Sequence, residues 1–146
     1  MMQKTTLILH HLEPCWNDSY KKFGIEFEEL ELNAAKWIRN NKPSRVILTR
    51  FEDYRLNNDY NYLHGLVDHV YNYAYGWESD MFQNESDYCQ GGSHSEVVHL
   101  PQWIKELKSD RVNLGGAFRG ECLEDMEIAL KFVGAKMKFV NSLCVG

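Results

Sequence analysis

Two hydrophobic patterns alternate along the chain, and together they predict its secondary structure. Short runs of apolar and β-branched residues are typical of buried strands, whereas apolar residues at every third or fourth position are typical of helices packed on one side. The predicted strands are residues 5–11, 45–51, 96–100, 111–116 and 138–143. The predicted helices are residues 23–38, 60–75, 101–107 and 121–133.

Local signals support the ends of several of these elements. The Asn-rich segment 40–43 closes with a proline and ends the first helix, and Pro101 suits the first turn of another. Gly134 follows the last helix, where a left-handed glycine is common. Residues 76–95 show no sustained pattern and predict a long loop.

The order of these elements predicts the fold class. Strands that alternate with helices, each nearly continuous in apolar character, indicate parallel pairing with both faces of the sheet covered. We therefore expect an α/β fold of the Rossmann-like, three-layer kind, with a mostly parallel sheet of about five strands. Ligands bind such sheets outside the carboxyl ends of the strands, so a site is expected there.

Composition narrows the class of protein further. The chain has 146 residues and a net charge of −5, which argues for one domain over residues 1–146 and against binding nucleic acid or an anionic membrane through overall charge. No apolar run approaches the ~18 residues of a transmembrane helix, and the first residues do not resemble a signal peptide. The four cysteines are widely spaced, so we expect reduced thiols and a cytoplasmic protein.

Cys122 is the residue with the clearest chemical potential. It follows a glycine-containing turn and stands in the first turn of a predicted helix, where N–H groups and the helix dipole favour a thiolate. The nearby carboxylates of Glu121, Glu124 and Asp125 oppose this effect, and Arg119 partly offsets them. The alternative is a structural thiol, because Cys122 also begins an apolar helical stripe. That stripe continues through Met126, Ala129, Leu130 and Val133.

The spacing around this cysteine resembles that of a known family. Gly116 precedes Cys122 by six residues, and Gly134 follows it by twelve. This arrangement resembles the carboxyl-terminal half of the isochorismatase-like cysteine hydrolases, whose nucleophilic cysteine follows such a glycine turn. Residues 7–11 with Trp16, and residues 46–50, resemble the first two strands of that family. The resemblance covers roughly 70 of the 146 residues and implies a related fold, with Cys122 as the nucleophile.

Two positions depart from the family pattern. His11 stands where the family has a general-base aspartate, and residues 99–101 stand where it has a lysine. Because a histidine can activate a thiol, His11 or Glu13 would take the proton of Cys122 in a hydrolase of this kind. The turn N–H groups from Ala117 to Cys122 would form the oxyanion hole. The residues expected to bind a ligand at the same end of the sheet are Gly116, Ala117, Phe118, Arg119, His99 and Arg50.

Two functions follow from these observations. The departures favour a non-catalytic or catalytically degenerate isochorismatase-like domain that binds a protein partner or small ligand at the carboxyl ends of the strands. The alternative is a small cysteine hydrolase of amides or esters that uses Cys122 as its nucleophile. Neither function requires a cofactor.

The histidines and tyrosines are two further groups of candidate functional residues. Neighbouring His10 and His11 are expected on opposite faces of their strand. His64 and His69 lie five residues apart on a predicted helix and are too far apart in angle to share a metal. A metal site across the strand ends is an alternative, but its candidate ligands have no diagnostic spacing, so we predict no metal site; these candidates are His11, Glu13, His94 and His99. The Tyr-rich helix 60–75 carries few basic residues. We therefore expect it to pack in the core or to form a protein interface, including one between copies of this chain, and not to bind nucleic acid.

Overall fold

The computed structural model describes residues 4–51, 60–75, 88–90 and 102–146. The strands are β1 (Thr5–His10), β2 (Arg45–Phe51), β3 (His69–Tyr75), β4 (Tyr88–Gln90), β5 (Arg111–Ala117) and β6 (Lys136–Val145). The helices are α1 (Asn17–Lys21), α2 (Phe27–Asn41), α3 (Gln102–Lys105) and α4 (Cys122–Phe132), with a 3-10 turn at Pro14–Trp16.

The described strands form one parallel sheet. Their order is β4-β3-β2-β1-β5-β6, and every neighbouring pair runs in the same direction. The chain first builds the sheet outward from β1 to β4 and then returns to the other side of β1 with β5. The expected α/β class is therefore confirmed, with six strands in the described residues.

Apolar side chains on both faces of the sheet produce the three layers. On one face, Leu7 and Leu9 pack with Leu30 and Ala34 of α2. Because side chains alternate along a strand, Ile8 points the other way and packs against the helices α3 and α4. A strand buried on both faces must be apolar at consecutive positions, as β1 is.

Several predicted elements are confirmed with small shifts at their ends. The strand at 45–51 has the predicted bounds, and the helix at 121–133 lies at Cys122–Phe132. The predicted first helix begins at Phe27 instead of at residue 23, because Gly24 has a φ of +83° and separates it from α1. The last strand is longer than predicted and begins at Lys136.

The helix predicted at 60–75 is wrong. This segment forms a series of turns followed by the strand β3, which begins at His69. Gly65 has a φ of +80°, which ends any helix there. Val70 and three alternating tyrosines then follow in 69–75, and both residue types are more favourable in strands than in helices. His64 and His69 therefore lie in a turn and a strand, and a Tyr-rich helical surface does not exist.

The long loop predicted at 76–95 is wrong at Tyr88–Gln90, which pair with β3 as the strand β4. The rest of that loop, the predicted strand 96–100 and Pro101 lie outside the described residues. Among the described residues, no helix has both the length and the apolar character needed to cross a bilayer.

Candidate active site

The order of the strands fixes where a ligand site is expected. The chain leaves β1 in one direction towards β2, and β5 lies on the other side of β1. Connections on the two sides of such a point diverge, which leaves a crevice at the carboxyl ends of the two central strands. His10 ends β1 and Ala117 ends β5. Cys122, His11 and Glu13 all follow these two strand ends.

His11 has a left-handed backbone conformation, which ends the first strand and sets the directions of the two histidine side chains. His11 has a φ of +61°, and its N–H still donates to the Thr49 carbonyl at 3.1 Å. The rings of His10 and His11 contact each other edge to face, with their centroids 5.2 Å apart. The prediction that these rings lie on opposite faces of the strand is therefore wrong, since the chain leaves the extended conformation at His11.

Glu13 is a buried carboxylate held by two donors. Its Oε2 lies 3.0 Å from Nδ1 of His11 and accepts a hydrogen bond from the Trp16 indole N–H at 2.9 Å. Both His11 and Glu13 are almost inaccessible to solvent. A carboxylate bonded to Nδ1 fixes the orientation of a histidine ring and its tautomer.

The ring of His11 also interacts with the thiol of Cys122, the first residue of α4. Burial alone would lower the pKa of His11, but the hydrogen bonds and charges of Cys122 and Glu13 together raise it above the ordinary value. The structure thus brings together the three residues that the sequence indicates as nucleophile and base. They form a connected group of thiol, imidazole and carboxylate.

The core of α4 is built from residues other than Cys122. Leu123 and Met126 belong to the apolar cluster on their face of the sheet, whereas Cys122 belongs to neither apolar cluster. The expected helical stripe is therefore confirmed at Met126, Ala129, Leu130 and Val133, but it begins at Leu123 and not at Cys122. Cys122 is 6% exposed, and its neighbour Asp125 is completely buried beside the first turn of the helix.

His10 lies beside this group but is bonded to a different side chain. Its Nδ1 lies 2.6 Å from the Thr49 hydroxyl, inside the sheet. Burial first, and the charge of His11 second, lower the pKa of His10 well below its ordinary value. The pKa values of these adjacent histidines are therefore shifted in opposite directions, and His10 is neutral under conditions in which His11 carries a second ring proton.

Two tyrosines fix the backbone that carries His11 and Glu13. The Tyr20 hydroxyl donates to the His11 carbonyl and accepts the Glu13 N–H at 3.0 Å, and the Tyr60 hydroxyl donates to the Leu12 carbonyl. Burial raises the pKa of both phenols. Sequence reasoning missed these residues, because nothing in a linear pattern joins Tyr60 to a strand end far earlier in the chain.

The residues expected to bind a ligand do not all lie together in one site. Gly116 and Ala117 are inside the sheet, and Phe118 packs on the rings of Tyr20 and Phe23 at 5.6 and 5.7 Å. A guanidinium nitrogen of Arg119 donates to Asn141 at 2.8 Å.

The remaining two expected residues lie apart from this turn. Arg50 borders a separate cavity of about 240 Å³. His99 lies outside the described residues.

The fold already uses some of the expected oxyanion-hole donors. The N–H of Arg119 donates to the Val145 carbonyl, and the N–H of Glu121 donates to the Phe118 carbonyl. The N–H groups of Leu123 and Glu124 at the start of α4 donate to the Phe118 and Glu121 carbonyls in the same way, so the candidates for an oxyanion hole are narrowed towards the N–H of Gly120. No group of three potential metal ligands exists among the described residues, and none of Cys15, Cys122 and Cys144 is in a disulfide.

No family model, curated protein or solved structure matches this chain. Its function is therefore argued from its own geometry.

Proposed function

We propose that the chain is a cysteine hydrolase of amides or esters, with Cys122 as nucleophile, His11 as base and Glu13 as the residue that orients His11. The observation that supports this most is the group of thiol, imidazole and buried carboxylate at the switch point of the sheet, in which Glu13 holds the ring of His11 and the interactions with Cys122 and Glu13 raise the pKa of His11. A nucleophile, a base and an orienting group in this relation are what thiol catalysis requires. The resemblance to isochorismatase-like hydrolases agrees in the nucleophile, whereas the base is a histidine.

The proton of the thiol provides the first step. With Nδ1 of His11 engaged by Glu13, Nε2 is the nitrogen that accepts the proton of Cys122. The thiolate then attacks the carbonyl carbon of the substrate, and the electron pair of the C=O bond moves to oxygen. The backbone N–H of Gly120, in the turn before α4, would stabilise that oxyanion.

Collapse of this intermediate completes acylation. The oxyanion re-forms the carbonyl, the bond to the leaving amine or alcohol breaks, and the His11 imidazolium returns its proton to that group. Water then attacks the thioester while His11 takes one of its protons. The acid is released, and the Cys122 thiol regains its proton from His11.

A second candidate is the non-catalytic domain that binds a protein partner or small ligand at the same strand ends. The observation in its favour is the low exposure of Cys122, 6%, together with the complete burial of Glu13. In that case the three residues are a buried polar network that stabilises the carboxyl ends of the two central strands. Cys15, Cys122 and Cys144 form no disulfide, which fits a reducing compartment, and we propose a cytoplasmic location for either function.

Alkylation of the native protein separates the two candidates. Iodoacetamide labelling at neutral pH, with each cysteine followed by mass spectrometry, should modify Cys122 faster than Cys144, because burial raises the pKa of the Cys144 thiol. The His11→Gln variant should slow labelling of Cys122 by about tenfold or more, since the base is lost. Cys144→Ser is the matched control and should leave the rate at Cys122 unchanged.

Activity is then tested on a panel of activated esters and simple amides. Cys122→Ala should abolish turnover, and a brief reaction of the wild type should leave an acyl mass increase on Cys122. If Cys122 reacts with iodoacetamide only after denaturation, and no substrate leaves an acyl group on it, the non-catalytic candidate is correct.

A further inference from the structure

A second cleft lies at the other end of the sheet, far along the strands from Cys122. Its volume is about 500 Å³, within the range typical of small-molecule sites. Thr5, Arg111 and Lys136 line it, and they are the first residues of β1, β5 and β6. Trp37 and Asn41 form its other wall from the last turns of α2. The cleft is therefore independent of the proposed catalytic group.

The charge of this cleft is opposite to that of the whole chain. Arg111, Lys136 and Lys138 line it, and no carboxylate lies among the described residues at its surface, although the chain has a net charge of −5. Alternation along parallel strands explains how the cations come together. Arg111 is paired directly with Lys136, and Asn113 with Lys138, so these side chains share one face.

Two of these cations lie directly opposite each other on neighbouring strands. Like charges directly opposite each other on neighbouring strands destabilise a sheet, and Arg111 faces Lys136 in this way. Lysines on β6 are suited to protecting an edge strand from pairing with another chain. Protection of an edge does not account for the presence of Arg111 and the buried Asn113 on β5, because β5 is not an edge strand and has partners on both sides.

The opposite wall offers a flat aromatic surface. Trp37 is half-buried and packs partly on the core, so its indole is held in place. The amide nitrogen of Asn41 donates to the Trp37 carbonyl at 2.9 Å, which leaves the amide oxygen as an acceptor for a ligand. A ligand that uses both walls has several negative charges and a planar ring with polar substituents.

We propose that this cleft binds a mononucleotide. Arg111, Lys136 and Lys138 hold its phosphate, and Trp37 stacks on its base. Guanidinium and ammonium groups are the common partners of phosphate, and a base can stack on an indole whatever its identity. Neither the hydrolase nor the binding domain proposed above assigns a role to this cleft.

Calorimetric titration with adenosine monophosphate tests the proposal. We expect saturable binding of adenosine monophosphate. Adenosine and inorganic phosphate should each bind about tenfold more weakly, because adenosine lacks the phosphate held by the cations and phosphate lacks the base stacked on Trp37. The double variant Lys136→Ala/Lys138→Ala should weaken nucleotide binding by about tenfold or more. Trp37→Leu keeps an apolar side chain but removes the aromatic ring. It should weaken the binding of the nucleotide and leave the affinity for inorganic phosphate unchanged.

A charge-matched control excludes a general electrostatic effect. Lys22→Ala/Lys105→Ala removes the same charge from exposed positions outside the cleft and should leave nucleotide affinity unchanged. Thermal unfolding confirms that each variant is folded. Equal loss in both double variants, no saturation at millimolar nucleotide, or a Lys136- and Lys138-dependent preference for single-stranded RNA over the mononucleotide would overturn the proposal.

Discussion

At the scale of single residues, the position of His11 depends on a glycine in the neighbouring strand. Gly116 is paired with His10, and a Cβ placed on Gly116 would lie 1.8 Å from the His10 carbonyl oxygen. The backbone at Gly116 also has a φ of +116°, which side chains disfavour. The strand end that carries both histidines therefore requires glycine at this position.

We predict that Gly116→Ala destabilises the protein strongly. Gly24→Ala is the matched control, because Gly24 also has a positive φ of +83° but has no atom within 4 Å of the added Cβ. The control should cost about 1–2 kcal/mol from backbone strain alone. Gly116→Ala should exceed it by at least about 2 kcal/mol, the cost of forcing β1 and β5 apart. Equal losses in urea-induced unfolding would show that the close contact with His10 has no energetic weight.

The same residue scale explains what the sequence reveals about the site. Cys122, His11 and Glu13 are recognisable because a reactive side chain follows a strand end in each case. Their mutual contacts are not recognisable, since they depend on the left-handed turn at His11, which is unfavourable for a residue with a Cβ. Trp16 donates to the same carboxylate oxygen as His11, and its spacing alone does not indicate that role.

At the scale of secondary-structure elements, a buried carboxylate joins α2 to the turns before β3. Glu31 is almost completely buried, and its Oε2 accepts the N–H groups of Tyr62 and Leu63 at 2.7 and 3.0 Å. Two backbone donors of an irregular segment thus obtain a charged acceptor, which is stronger than a neutral one. This contact fixes the turns that position Tyr60 against the first strand.

We predict that Glu31→Gln destabilises the fold by about 1–3 kcal/mol, because an amide cannot replace a charged acceptor of two N–H groups. Glu28→Gln is the control on the same helix, since Glu28 accepts only the exposed Tyr62 hydroxyl among the described contacts. It should change the free energy of unfolding by less than about 0.5 kcal/mol. Chemical denaturation of both variants at one pH measures the difference, and comparable losses would contradict the role given to Glu31.

The elements also show where pattern reading succeeds. β2 and α4 are predictable because their apolar positions are numerous and their ends carry clear signals, such as Gly134 after α4. The segment 60–75 has apolar residues at helical intervals, yet it forms turns and a strand. Gly65 and the β-preference of tyrosine outweigh that spacing, and pairing with β2 stabilises the strand once the sheet exists. Such pairing is tertiary information that a local pattern lacks.

At the scale of the whole molecule, the two adjacent histidines impose opposite pH dependences on stability. The pKa of His11 is raised in the folded protein, so its contribution is complete below about pH 6.5 and is lost as pH rises through the folded pKa. The pKa of His10 is lowered, so the unfolded chain binds its proton more readily. Its contribution is present above about pH 6.5 and is lost as pH falls towards the folded pKa.

We therefore predict that single glutamine variants separate the two effects. The difference in unfolding free energy between wild type and His10→Gln should shrink as pH falls below about 6.5, because the penalty of keeping His10 neutral appears only in the wild type. The difference for His11→Gln should shrink as pH rises above the same value, since the pairing of its imidazolium with Cys122 and Glu13 disappears. Urea unfolding across this range measures both slopes. Slopes of the same sign would show that Glu13 and Cys122 do not hold the proton of His11, and the acid–base pair on which the hydrolase depends would then be absent.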